Sequence, residues 1–455
     1  MSCAPACRRV SRGVPGPACL LALAAAALFA RPPNTDEARV APYTLPDPLT
    51  FADGTRLTAR EQWPARRREI LALFAGQMYG VLPPRPATMR LELLERADAC
   101  GGRAVRKQIR MRFGEDRNGP KIDWILWIPR NAPAPVPAFI GLNFYGNQEL
   151  EDDPAIRVCE GWLRDNADHF ITRHRASAQS RGLSARPGQT QTWPFETLVA
   201  RGYALATACY GDVAPDHPLL YTNGVFALFP PQPPEAGENT TALAAWAWAL
   251  MRGMDLLERE TAIDASRVAV IGCSRLGKAA LLAGAADERF AAVIPNQTGG
   301  GGVPLAKRDY GENVALQNQK FPHWFCRNFR QYSDNEAALP FDQHMLLACV
   351  APRALYVSSF PGAWFDPRGE FLSVKAAEPV WRFLGHPGLP AETWPAEKEP
   401  AIGPRLAYHL RPGKHGIDAY DWQNYLAFTD RVFGVAPAAA PGLGGASAPA
   451  SGVRP

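Results

Sequence analysis

The chain of 455 residues lacks several features that mark common classes of protein. No run of Lys or Arg is interleaved with aromatic residues and the net charge is only +5, so nucleic-acid binding has little support. Past the first 30 residues, no apolar run is long enough to span a bilayer. Of the nine cysteines, the six past residue 30 include no pair at the spacing of a metal site, and no internal repeat is visible. These absences favour a globular protein that needs neither nucleic acid nor metal.

The two ends of the chain differ in composition from the rest. Residues 1–30 combine three arginines with a short apolar run from Ala18 to Ala30, which is typical of a secretory signal peptide. Residues 436–455 are nearly all Ala, Pro, Gly and Ser, which predicts a disordered tail. We therefore expect an exported protein, periplasmic or extracellular, with one large domain at 31–435 and no membrane contact after removal of the leader. The cysteines of that domain are widely spaced, several in apolar segments, and are expected to be buried free thiols.

One segment joins a buried strand to a helix through a tight turn. Residues 268–271 are apolar, Gly272 tightens the chain, and a helix of small residues is predicted from near Gly277. Ser274 lies at the apex of the turn. Serine hydrolases hold their nucleophile in this way, although the second glycine of the usual Gly-x-Ser-x-Gly elbow lies one place late here. A serine at this point can also be a helix cap, so the segment by itself makes Ser274 a candidate nucleophile.

The rest of the chain alternates buried strands with helices. Strands are predicted at 89–94, 105–113, 123–128, 137–144, 203–209, 268–271, 290–294, 354–358 and 405–410. Helices are predicted at 68–79, 194–201, 241–260, 277–286, 376–384 and 422–433. Strands separated by helices indicate a mainly parallel, twisted sheet with helices on both faces, preceded here by antiparallel strands. With the turn at Ser274, this predicts an α/β protein of the α/β-hydrolase type, a three-layer α/β/α sandwich.

A serine nucleophile needs a base that takes its proton and passes it to the leaving group. In this fold the base is a histidine in the loop after the last strand. Among the eight histidines, His409 lies within the predicted last strand and His415 follows it, in the glycine-flanked loop 411–416. We therefore predict His415 as the base.

The segment Gly272-Cys-Ser-Arg-Leu-Gly-Lys278 resembles the Gly-Cys-Ser-Arg-x-Gly-Lys signature of glucuronoyl esterases, carbohydrate esterase family fifteen. The resemblance continues, in bacterial style, through residues 142–147, 202–207, 210–212, 244–248, 321–325, 334–340, 342–347, 366–372 and 411–415. It covers roughly residues 60–433.

The resemblance implies hydrolysis of esters of (4-O-methyl-)glucuronic acid on xylan, as in linkages to lignin alcohols, without metal or cofactor. It implies that Ser274 is the nucleophile, that His415 is the base, and that Arg275 places its guanidinium on the oxyanion. A fixed cation aimed at developing negative charge is a strong source of catalysis.

For the substrate, the resemblance implies a glucuronoxylan or lignin–carbohydrate ester. Lys278 would hydrogen-bond the sugar, Glu312 would accept hydrogen bonds from its hydroxyls, and Trp364 would form an apolar wall. The oligomeric state, the alcohol portion and the polymer are not determined by the sequence.

The sequence departs from the family at the acid of the catalytic triad. One family position follows the strand after the elbow, where this chain has Gln297 in Pro295-Asn-Gln-Thr-Gly299. The other lies two residues before Trp364, where this chain has Gly362. Because the acid fixes the histidine tautomer and stabilises the imidazolium, its loss can lower turnover by about ten-thousand-fold. Gln297 could orient the ring by hydrogen bonding but adds no negative charge.

Three nearby carboxylates are candidate replacements: Asp366, Glu370 and Asp418. Asp366 is the tentative acid. Two alternatives to a glucuronoyl esterase stay open: a catalytically impaired relative that binds glucuronoxylan, and an esterase of acetyl-type specificity. The polar stretch 148–193, which has no clear period, is expected to shape one wall of the cleft.

Overall fold

The computed structural model describes residues 32–116, 118–130, 132–133, 135–186, 192–220, 223–229 and 237–435. The predicted signal peptide and the predicted tail at 436–455 lie outside these ranges. In the described part of the chain, no helix combines the length and the apolar character that crossing a membrane requires. The described cysteines are all buried and all free thiols, as the sequence predicts.

One sheet organises the molecule, and within the described residues it has ten strands. They are β1 (Met89–Ala99), β2 (Ala104–Phe113), β3 (Lys121–Pro129), β4 (Val136–Asn143), β5 (Ala204–Cys209), β6 (Ile263–Cys273), β7 (Ala292–Asn296), β8 (Ala354–Ser359), β9 (Ala401–Ile402) and β10 (Leu406–Leu410). Their spatial order is β1-β2-β3-β5-β4-β6-β7-β8-β10-β9. The six strands from β5 to β10 in that order are parallel, while β1, β2, β3 and β9 pair in antiparallel fashion. The predicted α/β fold with a mainly parallel sheet and an antiparallel start is confirmed.

Helices cover both faces of this sheet. They are α1 (Trp63–Phe74), α2 (Phe195–Ala200), α3 (Tyr210–Val213), α4 (Ala242–Leu257), α5 (Arg275–Ala286), α6 (Val314–Lys320), α7 (Gln343–Ala348), α8 (Pro367–Phe383) and α9 (Ala419–Phe433). Successive residues of a strand point to opposite faces. Accordingly, Val268 and Val270 of β6 belong to the core beneath α4 and α5, whereas Ala269 and Ile271 belong to a second core beneath α2 and α9. Two cores on one sheet make the three-layer sandwich.

Two differences from the predicted elements have local causes. Helix α8 begins nine residues before the predicted start at 376, because Asp366 caps its N-terminus and Pro367 occupies the first helical position. The short helices α3, α6 and α7 are too brief for a periodic apolar pattern to reveal them. Between β4 and α2, the described residues form short 3₁₀ turns and two isolated β-bridges, which agrees with the absence of a clear period there.

Candidate active site

Ser274 lies in the turn between β6 and α5, at the carboxyl edge of the sheet. Its backbone has φ 59° and ψ −131°, a conformation that is unfavourable for a residue with a side chain and persists only where the surroundings enforce it. The Ser274 N–H donates to the carbonyl of Asn296 at the end of β7 (3.0 Å), and the Lys278 N–H donates to the carbonyl of Ser274 (3.1 Å). These contacts hold Ser274 in a strained turn at the N-terminus of α5.

Two glycines explain the spacing of this turn. A Cβ atom at Gly272 would lie 2.2 Å from the carbonyl oxygen of Leu276. A Cβ atom at Gly277 would lie 2.9 Å from the carbonyl oxygen of Gly272 and 3.0 Å from that of Asn296. The first turn of α5 therefore packs so closely on the strand ends that both positions need glycine, and the second falls one place later than in the usual elbow.

His415 lies between β10 and α9, and its ring is held by Gln297, the residue after β7. His415 Nδ1 is 3.0 Å from Gln297 Oε1, and the Gly416 N–H donates to the same oxygen (2.9 Å). Because a backbone N–H can only donate, the Gln297 atom that it faces is the oxygen, and Nδ1 must carry a proton to share that acceptor. The neutral ring then keeps its lone pair on Nε2, as a general base for a serine requires.

Ser274 and His415 are held at the same edge of the sheet by two residues that are consecutive in the chain. Ser274 bonds to the backbone of Asn296, and Gln297 follows directly in the chain. Among the described residues, no hydrogen bond joins the Ser274 hydroxyl to the His415 ring. Catalytic hydrogen bonds are often longer before substrate binds, so this geometry is compatible with a serine–histidine pair.

The tentative acid, Asp366, is committed elsewhere. Its Oδ2 accepts a hydrogen bond from Arg308 Nε (2.9 Å), and its Oδ1 accepts one from the Gly369 N–H (2.9 Å), where it caps α8. The prediction that Asp366 completes the triad finds no support in this geometry. Its oxygens already accept hydrogen bonds from a buried guanidinium and from the N-terminus of a helix, while the ring of His415 is hydrogen-bonded to Gln297.

The other two carboxylates are similarly engaged. Glu370 is buried and accepts hydrogen bonds from the N–H (2.9 Å) and the hydroxyl (3.1 Å) of Thr298, and burial raises the pKa of Glu370 to about 8. Asp418 caps α9 and lies 3.2 Å from Arg411. Both carboxylates thus position the loops around the site, and in this structure Gln297 is the partner of the His415 ring.

Aromatic rings enclose the side of His415 near Gly362. The centroid of the His415 ring lies 4.3 Å from that of Phe365 and 5.4 Å from that of Phe360. A Cβ atom at Gly362 would lie 2.4 Å from the Phe360 ring. The ring of Phe360 therefore fills the space into which an acidic side chain at position 362 would extend.

Arg411 holds the histidine loop and was not singled out by the sequence reasoning. Its Nε donates to Asp421 (2.7 Å), and its terminal nitrogens donate to the carbonyls of Pro412 (3.0 Å), Lys414 (3.0 Å) and Gly416 (2.7 Å). One buried guanidinium thus donates hydrogen bonds to three backbone carbonyls around the histidine. In the sequence, Arg411 is marked only by its position four residues before His415, in a segment that resembles the family.

Arg275, the first residue of α5, is oriented by an anion. Its guanidinium forms an ion pair with Asp216, which also accepts hydrogen bonds from His323 Nε2 (2.7 Å) and Trp324 Nε1 (2.8 Å). Burial raises the pKa of Asp216, but these donors and the charge of Arg275 outweigh it, so the pKa lies well below its usual range. The Arg275 guanidinium also lies 5.0 Å from the centre of the Trp324 ring. Asp216 is a further residue that sequence reasoning missed.

The three residues predicted to bind the sugar lie together, with Glu312 in the loops after β7 and Trp364 in the loop after β8. Lys278 Nζ is 3.6 Å from Glu312 Oε2, and the Glu312 N–H donates to the carbonyl of Trp364 (3.0 Å). Lys278 is buried, with Nζ 5.0 Å from the centre of the Trp324 ring, while Trp364 is half-buried beneath the ammonium of Lys320. The cluster thus combines an ammonium group, a carboxylate and an indole ring.

The charges around His415 favour its neutral form. Burial lowers the pKa of His415 to about 4, together with the positive charges of Lys278, Arg275 and Arg411. With a carboxamide in place of a carboxylate at position 297, no anion bonds to Nδ1 to oppose them. The ring is therefore neutral at neutral pH. It can accept a proton, but its surroundings disfavour the imidazolium that results. No cluster that could hold a metal ion is found among the described residues.

This fold and this turn define a hydrolase of the α/β type, and comparisons with known proteins identify the family. A family model described as glucuronyl esterase, fungi, matches residues 224–385. A carbohydrate esterase called MZ0003, from an unknown prokaryotic organism, is 44% identical over 402 residues, which cover 87% of this chain and 91% of that protein.

Two solved structures are similar over their whole length. A promiscuous esterase of family CE15 from a marine bacterial metagenome is 42% identical, with a TM-score of 0.81 and coverage of 88% of this chain and 100% of that one. A glucuronoyl esterase from Solibacter usitatus is 41% identical, with the same TM-score and the same coverage. The chain belongs to carbohydrate esterase family 15, and it is a carboxylic ester hydrolase.

Proposed function

We propose that this protein hydrolyses esters of glucuronic acid and 4-O-methyl-glucuronic acid by acyl transfer through Ser274. The observation that carries the proposal is the arrangement of Lys278, Glu312 and Trp364 beside the strained turn of Ser274. A carboxyl-bearing sugar offers hydroxyls and a ring face to that cluster. An acetyl group would leave all three side chains without a ligand, so the acetyl-esterase alternative is disfavoured.

In the proposed mechanism, the Ser274 hydroxyl attacks the ester carbonyl while Nε2 of His415 takes its proton. The negative charge that develops on the carbonyl oxygen is met by Arg275 and by backbone N–H groups at the start of α5, which have no partner within the helix. The Nε–H of Arg275 is buried and has no hydrogen-bond partner among the described residues, so a donor is left for this charge. His415 then returns the proton to the leaving alcohol, and water releases the glucuronate.

Gln297 takes the place of the triad acid in this proposal as a positioning residue. It supplies the orienting half of the acid's role, because its oxygen fixes the tautomer of His415, but not the stabilising charge. Its Nε2 is buried with no partner among the described residues, so the amide nitrogen contributes no hydrogen bond to the site. The missing negative charge beside His415 favours slow turnover. The alternative of a relative that binds glucuronoxylan without hydrolysing it therefore stays open.

We propose that the substrate is glucuronoxylan, including its ester links to lignin alcohols, and that the protein acts outside the cytoplasm. The second point depends on the signal-peptide composition of residues 1–30.

The test compares methyl glucuronate ester with an acetylated xylo-oligosaccharide, using wild type and Ser274→Ala. Faster hydrolysis of the glucuronate ester, lost in Ser274→Ala, is the expected result. Hydrolysis that survives in Ser274→Ala, or a preference for acetyl esters, would refute the proposal. Binding of glucuronoxylan with no hydrolysis by wild type would identify the non-catalytic alternative.

A further inference from the structure

Two buried thiols meet where the chain between β4 and α2 contacts the end of β5. Cys159 Sγ lies 2.8 Å from Cys209 Sγ, although the two residues are 50 positions apart in the chain. Cys209 is the last residue of β5, whereas Cys159 belongs to a stretch of short turns. A disulfide bond is about 2.05 Å long, so a small approach of the two sulfurs would join them. Neither thiol takes part in the mechanism proposed above.

The backbones beside these two cysteines touch each other directly. A Cβ atom at Gly161 would lie 2.2 Å from the carbonyl oxygen of Gly211, and a Cβ atom at Gly211 would lie 2.4 Å from the carbonyl oxygen of Trp162. The Gly161 N–H also donates to Asp212 Oδ1 (2.9 Å). The two segments therefore pack together with no side chain between them, and this contact holds the sulfurs close to each other.

A buried carboxylate lies beside the pair of thiols. Asp212 Oδ1 is 3.3 Å from Cys159 Sγ, within reach of a hydrogen bond from the thiol. Burial raises the pKa of Asp212 to about 7, and burial also raises the pKa of the Cys159 thiol. Because the thiolate is the form that attacks a disulfide, a buried thiol needs a group that takes its proton. Asp212 is placed to do this for Cys159.

We infer that Cys159 and Cys209 form a disulfide bond when the protein is in an oxidising compartment. The inference rests on the export included in the proposed function, because disulfides form and persist outside the cytoplasm. It does not depend on the ester hydrolysis. The bond would tie the chain between β4 and α2 to the sheet close to Arg275, since Arg164 of the same stretch lies 3.4 Å from Asp216, the ion-pair partner of Arg275.

The oxidant is a small disulfide such as oxidised glutathione. Cys159 is 8% exposed and lines an open cavity of about 770 Å³, whereas Cys209 is fully buried, so Cys159 reacts first. The Cys159 thiolate attacks one glutathione sulfur, which forms a mixed disulfide and releases one glutathione thiolate. The Cys209 thiolate then attacks the Cys159 sulfur and releases the second. The protons of the two protein thiols pass to the two released thiolates, and the two electrons lost by the protein reduce the glutathione disulfide.

The test locates the bond by peptide mapping. The full chain is equilibrated with oxidised and reduced glutathione, both as folded protein and during refolding from guanidinium chloride. Its free thiols are then alkylated in denaturant with iodoacetamide before digestion with trypsin. We expect the peptides 158–164 and 202–252, which contain Cys159 and Cys209, to be joined to each other. The peptide 331–353, which contains the buried Cys349, should be alkylated.

A thermal melt measures the effect of the bond. Oxidation should raise the Tm of wild type by about 3 to 6 °C, because the bond closes a long loop of the unfolded chain. The difference between the oxidised and reduced forms should vanish in Cys159→Ala. The matched control Cys349→Ala should keep the full difference, since Cys349 is also buried but its Sγ faces the backbone carbonyl of Arg67 (3.9 Å).

Alkylation of both Cys159 and Cys209 after both treatments, or a bond from either to another cysteine, would overturn the inference. A rise in Tm that Cys159→Ala retains would also overturn it. If Cys159→Ala fails to fold, Cys209→Ala replaces it, with the same loss of the difference expected. None of these measurements uses an ester, so their failure would leave the proposed esterase activity standing. A protein that forms the bond but hydrolyses no glucuronate ester would refute that activity alone.

Discussion

His415 Nδ1 and Gln297 Oε1 are 3.0 Å apart, and the Gly416 N–H shares the same oxygen. A neutral amide therefore occupies the position from which a carboxylate usually supports the histidine of a serine hydrolase. It fixes the tautomer but leaves the imidazolium without a counter-ion. We expect this relationship to make both the rate and the pH dependence of the enzyme sensitive to residue 297.

Replacing Gln297 by alanine should remove the orientation of His415 as well as the acceptor of the Gly416 N–H. We expect kcat on methyl glucuronate ester to fall by about ten- to hundredfold with little change in KM, since two hydrogen bonds of about 1 kcal/mol each are lost. Steady-state kinetics with a check of folding by circular dichroism would measure this. A wild-type rate in Gln297→Ala would show that another group orients the ring.

Arg275 is expected to act on the transition state rather than on the bound substrate. Arg275→Met should lower kcat by about 10² to 10³-fold with a small change in KM, and Arg275→Lys should recover only part of the loss, because it keeps the charge but not the planar guanidinium. Arg431, an exposed arginine on α9, provides the control as Arg431→Met. An increase in KM at constant kcat would instead assign Arg275 to substrate binding.

Asp366 should prove to be a structural residue. Asp366→Asn retains an acceptor for the cap of α8 but removes the charge beside Arg308, so we expect a loss of about 2 kcal/mol in the free energy of unfolding. The kcat of the folded enzyme should stay within about twofold of wild type. A hundredfold fall in kcat without loss of stability would restore Asp366 as the triad acid.

Arg411 should matter for both stability and turnover. In Arg411→Met, the buried Asp421 loses its 2.7 Å partner and three carbonyls of the histidine loop lose their donor. Denaturant unfolding should show a loss of about 3 kcal/mol, and kcat should fall because the loop no longer holds His415. Arg411→Lys, which keeps the charge, should recover stability more than kcat. Equal recovery of both would mean that the charge alone matters.

Much of the fold followed from local patterns. The strands and the turn at Ser274 were predictable because a central parallel strand is a continuous apolar run, and because Gly272 and Gly277 mark a close approach of helix and strand. The early start of α8 was not predictable from apolar spacing, since it depends on a cap, Asp366, whose side chain also serves Arg308.

The site was predictable only in part, for a physical reason. The resemblance singled out Lys278, Glu312 and Trp364 as one group, and these residues do lie together in the structure. It could not show that Asp366 is bonded to Arg308, nor that Asp216 orients Arg275, because both pairs join residues more than 50 positions apart. Which of several nearby carboxylates meets a histidine depends on side-chain packing, which sequence order does not reveal.

The most direct test is the pH dependence of kcat/KM for wild type and Gln297→Glu on methyl glucuronate ester. A general base is active when deprotonated, so the rate falls as the pH drops through the pKa of His415, which is lowered to about 4. A carboxylate at 297 stabilises the imidazolium and should move this limb up by about one to three pH units, with a rise in kcat of at least tenfold and at most about ten-thousand-fold. If the acid limb of wild type lay near the ordinary histidine pKa and Gln297→Glu did not move it, the role assigned to Gln297 would be contradicted, since a carboxylate elsewhere would then already support His415.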